Sequence, residues 1–233
     1  MKLAISAILA LAAICILPAF GEQTADYWSA EARQLSLNGN YEEAVAGYDR
    51  ALALDTSNAS LLIGKGLALA NLGKYSEAID NFDQSLALNS SNADVWYFKG
   101  LALSMGLQKY EDGIFSFDKA LEINPAYYDA WMSRGLALGN VGKLDDSLAS
   151  FEAAIRLNPR DPISWNNKGV VLREQGRYQD AQLSFDKALE LDPDYVVAQK
   201  NKELTQQDLI QDNFYELDDI LYRAKQRDGS LML

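Results

Sequence analysis

One phrase recurs down the middle of the chain and limits the fold more than any other feature. Leu62-Ile-Gly-Lys-Gly-Leu-Ala-Leu returns as Trp96-Tyr-Phe-Lys-Gly-Leu-Ala-Leu, as Trp131-Met-Ser-Arg-Gly-Leu-Ala-Leu and as Trp165-Asn-Asn-Lys-Gly-Val-Val-Leu. Trp28, Leu62, Trp96, Trp131 and Trp165 stand 34, 34, 35 and 34 residues apart. Tyr48, Phe82, Phe117, Phe151 and Phe185 keep the same steps, as do Ala51, Ser85, Ala120, Ala154 and Ala188. A fixed period of this length predicts stacked supersecondary units that bury their apolar surface against neighbours, with no single central core.

The unit from Ala59 to Asn92 shows what each repeat builds. Leu62, Gly66 and Leu69 fall at helical spacing, with a glycine where a neighbouring helix must come close. Asn71-Leu72-Gly73-Lys74 supplies a stop, because Gly73 tolerates the positive φ that ends a helix. Tyr75, Ala78, Ile79, Phe82 and Leu86 form a second apolar stripe. The unit is therefore a pair of antiparallel helices, and neither hides its stripe alone.

These residues resemble the tetratricopeptide repeats. Trp165, Gly169, Leu172, Gly176, Tyr178, Ala181, Phe185, Ala188 and Pro193 fill that family's pattern, and Trp131, Gly135, Leu138, Gly142, Leu144, Ser147, Phe151, Ala154 and Pro159 fill it again. The resemblance implies an all-α fold, a right-handed α-solenoid of five helix-turn-helix repeats with a C-terminal capping helix. The repeats span 25–58, 59–92, 93–127, 128–161 and 162–195, the capping helix 196–226, and a frayed tail 227–233. The first repeat departs from the pattern with Glu31-Ala32 and Thr56 and reads as a more solvent-facing cap. The third carries one extra residue in its turn, Met105 to Tyr110, and has Gly113 where alanine is usual, at a cost of about 1 kcal/mol in helix stability. In the capping helix, Ile210, Phe214, Leu217 and Leu221 form a stripe expected to cover the last repeat, with Asp208, Asp212, Glu216 and Asp219 turned to water.

The family resemblance also implies that the first helix of each repeat lines a concave groove that binds a partner peptide or helix. The positions carried over are Ser29, Arg33, Ile63, Leu67, Tyr97, Leu101, Met132, Leu136, Asn166 and Val170. The middle of this set is apolar and its ends are polar, which suits apolar anchors with amide groups holding a backbone. Tyr97 and Met132 are the stronger candidates for ligand contact because of their reach, while Leu101 and Leu136 equally suit packing between first helices. A subset of the family clamps a C-terminal carboxylate; here those places hold Ser29, Arg33, Gly64, Asp94 and Phe98, and Asp94 would repel the carboxylate. The regular series Lys65, Lys99, Arg134, Lys168 and Lys202 looks like an anion track but is better read as a row of ion pairs along the stack.

Composition narrows the function further. With 21 basic and 33 acidic side chains the net charge is −12, which repels phosphate backbones and favours solubility or a basic partner. The chain has no histidine, and its one cysteine is Cys15, so no thiolate or imidazole chemistry is expected in its body. No catalytic constellation breaks the repeat pattern, and no cofactor or metal is expected. Lys2 followed by the uncharged run Leu3 to Phe20, with Ala19-Phe20-Gly21 before Glu22, reads as a signal peptide over residues 1–21, or an uncleaved membrane anchor. The expected product is an exported, secreted or cell-surface scaffold that binds a protein or peptide. The alternative is a membrane-tethered module that self-assembles.

Overall fold

The computed structural model describes residues 24–230, with backbone alone for Glu216 and residues 225–230. The expected leader, with Cys15, and residues 231–233 lie outside the described residues. The described chain forms eleven α-helices, one π-helical turn and no strand. Two compact units divide it, one ending at Asn89 and the other beginning at Ser90.

The first unit holds two helical hairpins, α1 (Ala25–Leu37) with α2 (Tyr41–Leu54) and α3 (Ala59–Asn71) with α4 (Tyr75–Leu88). Thr24 caps α1 by accepting from the Tyr27 amide at 3.2 Å, and Asn58 caps α3 through the amides of Ser60 and Leu61. Gly39 and Gly73 end the first helices at φ +81° and +75°, the left-handed conformation that costs other residues a Cβ clash. Between the hairpins lie Ala32, Ala44, Tyr48, Ala51, Leu61 and Ala68, all buried.

The second unit holds three hairpins and a long last helix. These are α5 (Ala93–Leu101) with α6 (Tyr110–Ile123), α7 (Tyr128–Asn140) with α8 (Leu144–Leu157), α9 (Pro162–Glu174) with α10 (Tyr178–Leu191), and α11 (Val196–Ser230). In both units the second helices bury one aromatic per hairpin. A Cβ at Gly66, Gly100, Gly135 or Gly169 would stand 2.5–2.8 Å from the ring of Phe82, Phe117, Phe151 or Phe185, so only glycine lets these helices pack over the ring. The indole N–H groups of Trp96, Trp131 and Trp165 donate to the carbonyls of Ser90, Pro125 and Pro159, each six residues earlier, and tie the start of each first helix to the loop before it. On α11 the amide of Gln199 repeats this bond to Pro193.

The extra residue of the third repeat is absorbed inside the helix. Ala102–Gly106 is a π-helical turn continuing α5, and Gln108, at φ +55°, takes the left-handed place that glycine holds in the other hairpins. Gly113 has a purpose that helix propensity hides. A Cβ there would lie 1.8 Å from the Ser104 hydroxyl, so the glycine makes room for the serine. In the next hairpin the exchange runs the other way, with Gly139 facing Ser147, whose hydroxyl donates to the Gly135 carbonyl at 2.7 Å.

The C-terminal expectation needs correcting. Only the first part of α11 packs, burying Ala198 and Thr205; Ile210, Phe214, Leu217 and Leu221 are all more than half exposed. The reason is length. At about 1.5 Å per residue a 14-residue helix such as α10 supports roughly 21 Å of neighbour, and α11 runs 35 residues. The helix also continues through residues 227–230, where fraying was expected. Asp208, expected in water, is half-buried and paired with Arg173 at 2.5 Å.

Candidate functional site

The residues expected to line the groove separate into two rows. Ser29, Ile63, Tyr97, Met132 and Asn166 occupy one place in the repeat, and Arg33, Leu67, Leu101, Leu136 and Val170 sit four residues on. In the second unit the first row turns towards the first helix of the next hairpin or, at the end, towards α11. Tyr97 stacks on Tyr127 with ring centroids 4.9 Å apart and on Phe117 at 6.1 Å. Met132 is 9% exposed, with its sulfur 3.2 Å from the Ser164 hydroxyl. Asn166 is 4% exposed and accepts from the Asn201 amide on α11 at 2.9 Å. Met132 and Asn166 are thus packed against the neighbouring helix, while Tyr97 stays partly exposed. A long side chain in this row reaches the adjacent helix before it reaches solvent.

The second row is the open one. Leu101 packs beside Ile114, Phe117 and Leu138, and Val170 beside Leu172 and Phe185, both half-buried, while Leu136 is 48% exposed. In the first unit Arg33 is exposed, and Ser29, Ile63 and Leu67 are half-buried. Gly64, a place in the carboxylate clamp, lies against Tyr48: a Cβ there would meet the ring at 2.5 Å.

Leu136 stands between two clefts that the repeat makes equivalent. The first, about 290 Å³, is lined by Ser104, Met105, Gln108, Tyr110, Phe117, Ser133, Leu136, Ala137 and Asn140. The second, about 210 Å³, is lined by Gly135, Leu136, Gly139, Asn140, Ser147, Phe151, Asn167, Val170, Val171 and Glu174. Moving one repeat along carries Ser104 to Gly139, Phe117 to Phe151, Ser133 to Asn167, Leu136 to Val170 and Asn140 to Glu174. The small residues at 104 and 139 leave the space. The next residue in that series is Arg173, which bridges to Asp208 and puts a charged pair in the corresponding cleft, about 260 Å³, beside α11. Ser104 is 4% exposed and its hydroxyl has no partner among the described residues, an uncompensated cost of about 1–3 kcal/mol. The cleft residues other than Leu136 and Val170 escaped the sequence reading; the signal was the small residue four places after Gly100 and Gly135.

A hydrogen-bonded cluster supports the packed row from behind. The Tyr128 hydroxyl donates to Asp161 at 2.5 Å and lies 2.7 Å from the Ser164 hydroxyl, which also donates to Asp161. Burial and the bond to Asp161 push the Tyr128 phenol up to about 12. Burial works to raise Asp161, but the bonds from Tyr128 and Ser164 outweigh it and leave its carboxyl below the usual value. Burial raises Tyr97, Tyr127 and Tyr195 as well.

The basic series forms ion pairs. Lys65 meets Asp49 at 2.6 Å, Arg134 meets Asp118 at 2.6 Å, Lys168 meets Glu152 at 2.9 Å and Lys202 meets Asp186 at 2.5 Å, each with the carboxylate sixteen residues earlier. Among the described residues no group of three or more carboxylate, histidine or cysteine side chains could hold a metal ion.

Known proteins share this arrangement. The family described as Tetratricopeptide repeat matches residues 135–196, and the one described as Anaphase-promoting complex, cyclosome, subunit 3 matches residues 37–120. Among solved structures, YrrB, described as a TPR protein with an unusual peptide-binding site, is 30% identical with a TM-score of 0.68, over 78% of this chain and 94% of its own. The chain belongs to the tetratricopeptide repeat family. MamA 41-end from Desulfovibrio magneticus RS-1 is 24% identical with a TM-score of 0.70, over 76% of this chain and 99% of its own, and shares the fold. A further MamA structure, MSR-1 C2, is 25% identical with a TM-score of 0.64, over 72% of this chain and 97% of its own. No curated protein matches. As a tetratricopeptide repeat protein the chain is a scaffold for protein–protein contacts, in a family that is not generally enzymatic.

Proposed function

We propose that this tetratricopeptide repeat protein is an exported, non-catalytic scaffold that binds a partner peptide along the open row of its first helices, centred on Leu136. The carrying observation is that Leu136 is a half-exposed leucine flanked by a cleft on either side, whereas Met132, Ala137 and Leu138 of α7 are buried. Apolar anchors that enter such clefts supply most of the energy in peptide recognition. The likeness to YrrB, described as having a peptide-binding site, supports this reading. Export is supported by the basic, apolar and small-residue order of residues 2–21.

Immobilised wild-type chain and a Leu136→Asp variant would be compared for partner capture from the native organism. Loss of a specific partner in the variant, with helical content unchanged, is expected, and equal capture removes the open row as the site. Mass spectrometry of the exported protein should place its first residue near Glu22; intact residues 1–21 would make the leader an anchor.

A second reading, self-association, is favoured by the exposed stripe Ile210, Phe214, Leu217 and Leu221, whose 4-3-4 spacing suits a two-helix seam. Sedimentation over a wide concentration range separates the two: a monomer throughout excludes self-assembly.

A further inference from the structure

We infer that the two clefts beside Leu136 read different side chains of one extended partner segment, an apolar residue in the first and a lysine or arginine three positions away in the second. This rests on the peptide-binding reading and specifies the peptide. The clefts are equivalent by repeat but differ in chemistry. No charged residue lines the first; Met105, Tyr110, Phe117, Leu136 and Ala137 give it apolar walls, and Gln108 and Asn140 stand among them. The π-helical turn places Met105 there, largely exposed to solvent, so an apolar guest would cover surface that now faces water.

The second cleft has one charge, Glu174, set among Asn140 and Asn167. Glu174 is exposed and forms no ion pair among the described residues, and Arg173 beside it is paired with Asp208. A carboxylate flanked by amide oxygens selects a cation, and the net charge of −12 draws a basic segment towards it. The asymmetry comes from a single exchange between repeats, since Glu174 stands where the previous repeat has Asn140.

Size and spacing fix the rest. At about 290 and 210 Å³ the clefts fall below the roughly 300–1,000 Å³ of sites for small-molecule ligands and suit single side chains. They lie on opposite flanks of α7 and share Leu136 and Asn140. Packed helices stand about 8–10 Å apart, and an extended partner in the polyproline-II conformation advances about 3.1 Å per residue and returns every third side chain to the same face. Neighbouring clefts therefore take residues three apart.

The test is selection of a random dodecapeptide phage library on the full-length chain, held in mild detergent, and on Glu174→Lys and Leu136→Ser variants of it. Wild type should enrich peptides with an apolar residue three positions from lysine or arginine. Glu174→Lys should keep the apolar preference and exchange the basic one for aspartate or glutamate. Leu136→Ser should weaken the best wild-type peptide about tenfold, the loss of one buried apolar contact. Enrichment that depends on Leu136 but shows no basic position, or one unmoved by Glu174→Lys, overturns this inference and leaves the peptide-binding reading standing. No enrichment, or enrichment indifferent to Leu136, overturns both.

Discussion

Two rows of side chains four residues apart on the same first helices meet opposite fates in the second unit. Met132 and Asn166 are sealed against the next helix along, whereas Leu136 stays half in solvent beside two clefts. A periodic sequence gives both rows the same claim to a binding surface, and reach favours the longer residues. Packing decides the reverse, because neighbouring first helices lie so close that the row pointing along the stack is consumed by it. The lesson carries to the clefts: Ser104 and Gly139 leave two of them without a charge at that register, and Arg173 lines the next one with a charge paired to Asp208. Repeats that look interchangeable differ where one side chain changes size.

The contrast can be broken by substitution, and the largest effect belongs to the packed row. Met132→Ala should cost about 2–5 kcal/mol, read by urea denaturation, since it empties a site between Phe151, Ala154 and Val171. A cost near zero would return Met132 to the binding surface. Asn166→Ala should cost about 1–3 kcal/mol, because the Asn201 amide loses its acceptor. Next comes alkali. The Tyr128 phenol, raised from 10.0 to about 12, keeps its proton in the folded chain after the unfolded chain has lost its own. The stability it lends is full below pH 10 and is lost as pH rises towards 12. Thermal melts should therefore fall over that range, and Tyr128→Phe should make the fall shallower; an unchanged slope would detach Tyr128 from the cluster behind Met132. The smallest effect is expected in the open row. Leu136→Ala should shift stability by no more than about 0.5 kcal/mol, as for exposed positions generally, while it weakens partner binding about tenfold. A large loss of stability would mean that Leu136 is part of the packing after all.

Much of this molecule was legible beforehand, and the reason is physical. Each hairpin buries its stripe against like neighbours, so the 34- or 35-residue spacing of Phe82, Phe117, Phe151 and Phe185, with the glycines that admit their rings, specifies helices and their pairing without distant contacts. The basic series could be assigned to ion pairs for the same reason. Three features were settled only in the folded chain. The surplus residue before Tyr110 could enter the turn or the helix, and it became a π-helical turn because the short connection to α6 was already satisfied by Gln108. Gly113 reads as a weak helix residue until Ser104 is seen lying over it. The stripe of α11 matches a cap in pattern, but a hairpin about 21 Å long cannot cover a helix of 35 residues. Periodicity specifies which residues share a face. Which faces meet, and which stay open for a partner, depends on interhelical distance and helix length, quantities that a repeat pattern does not contain.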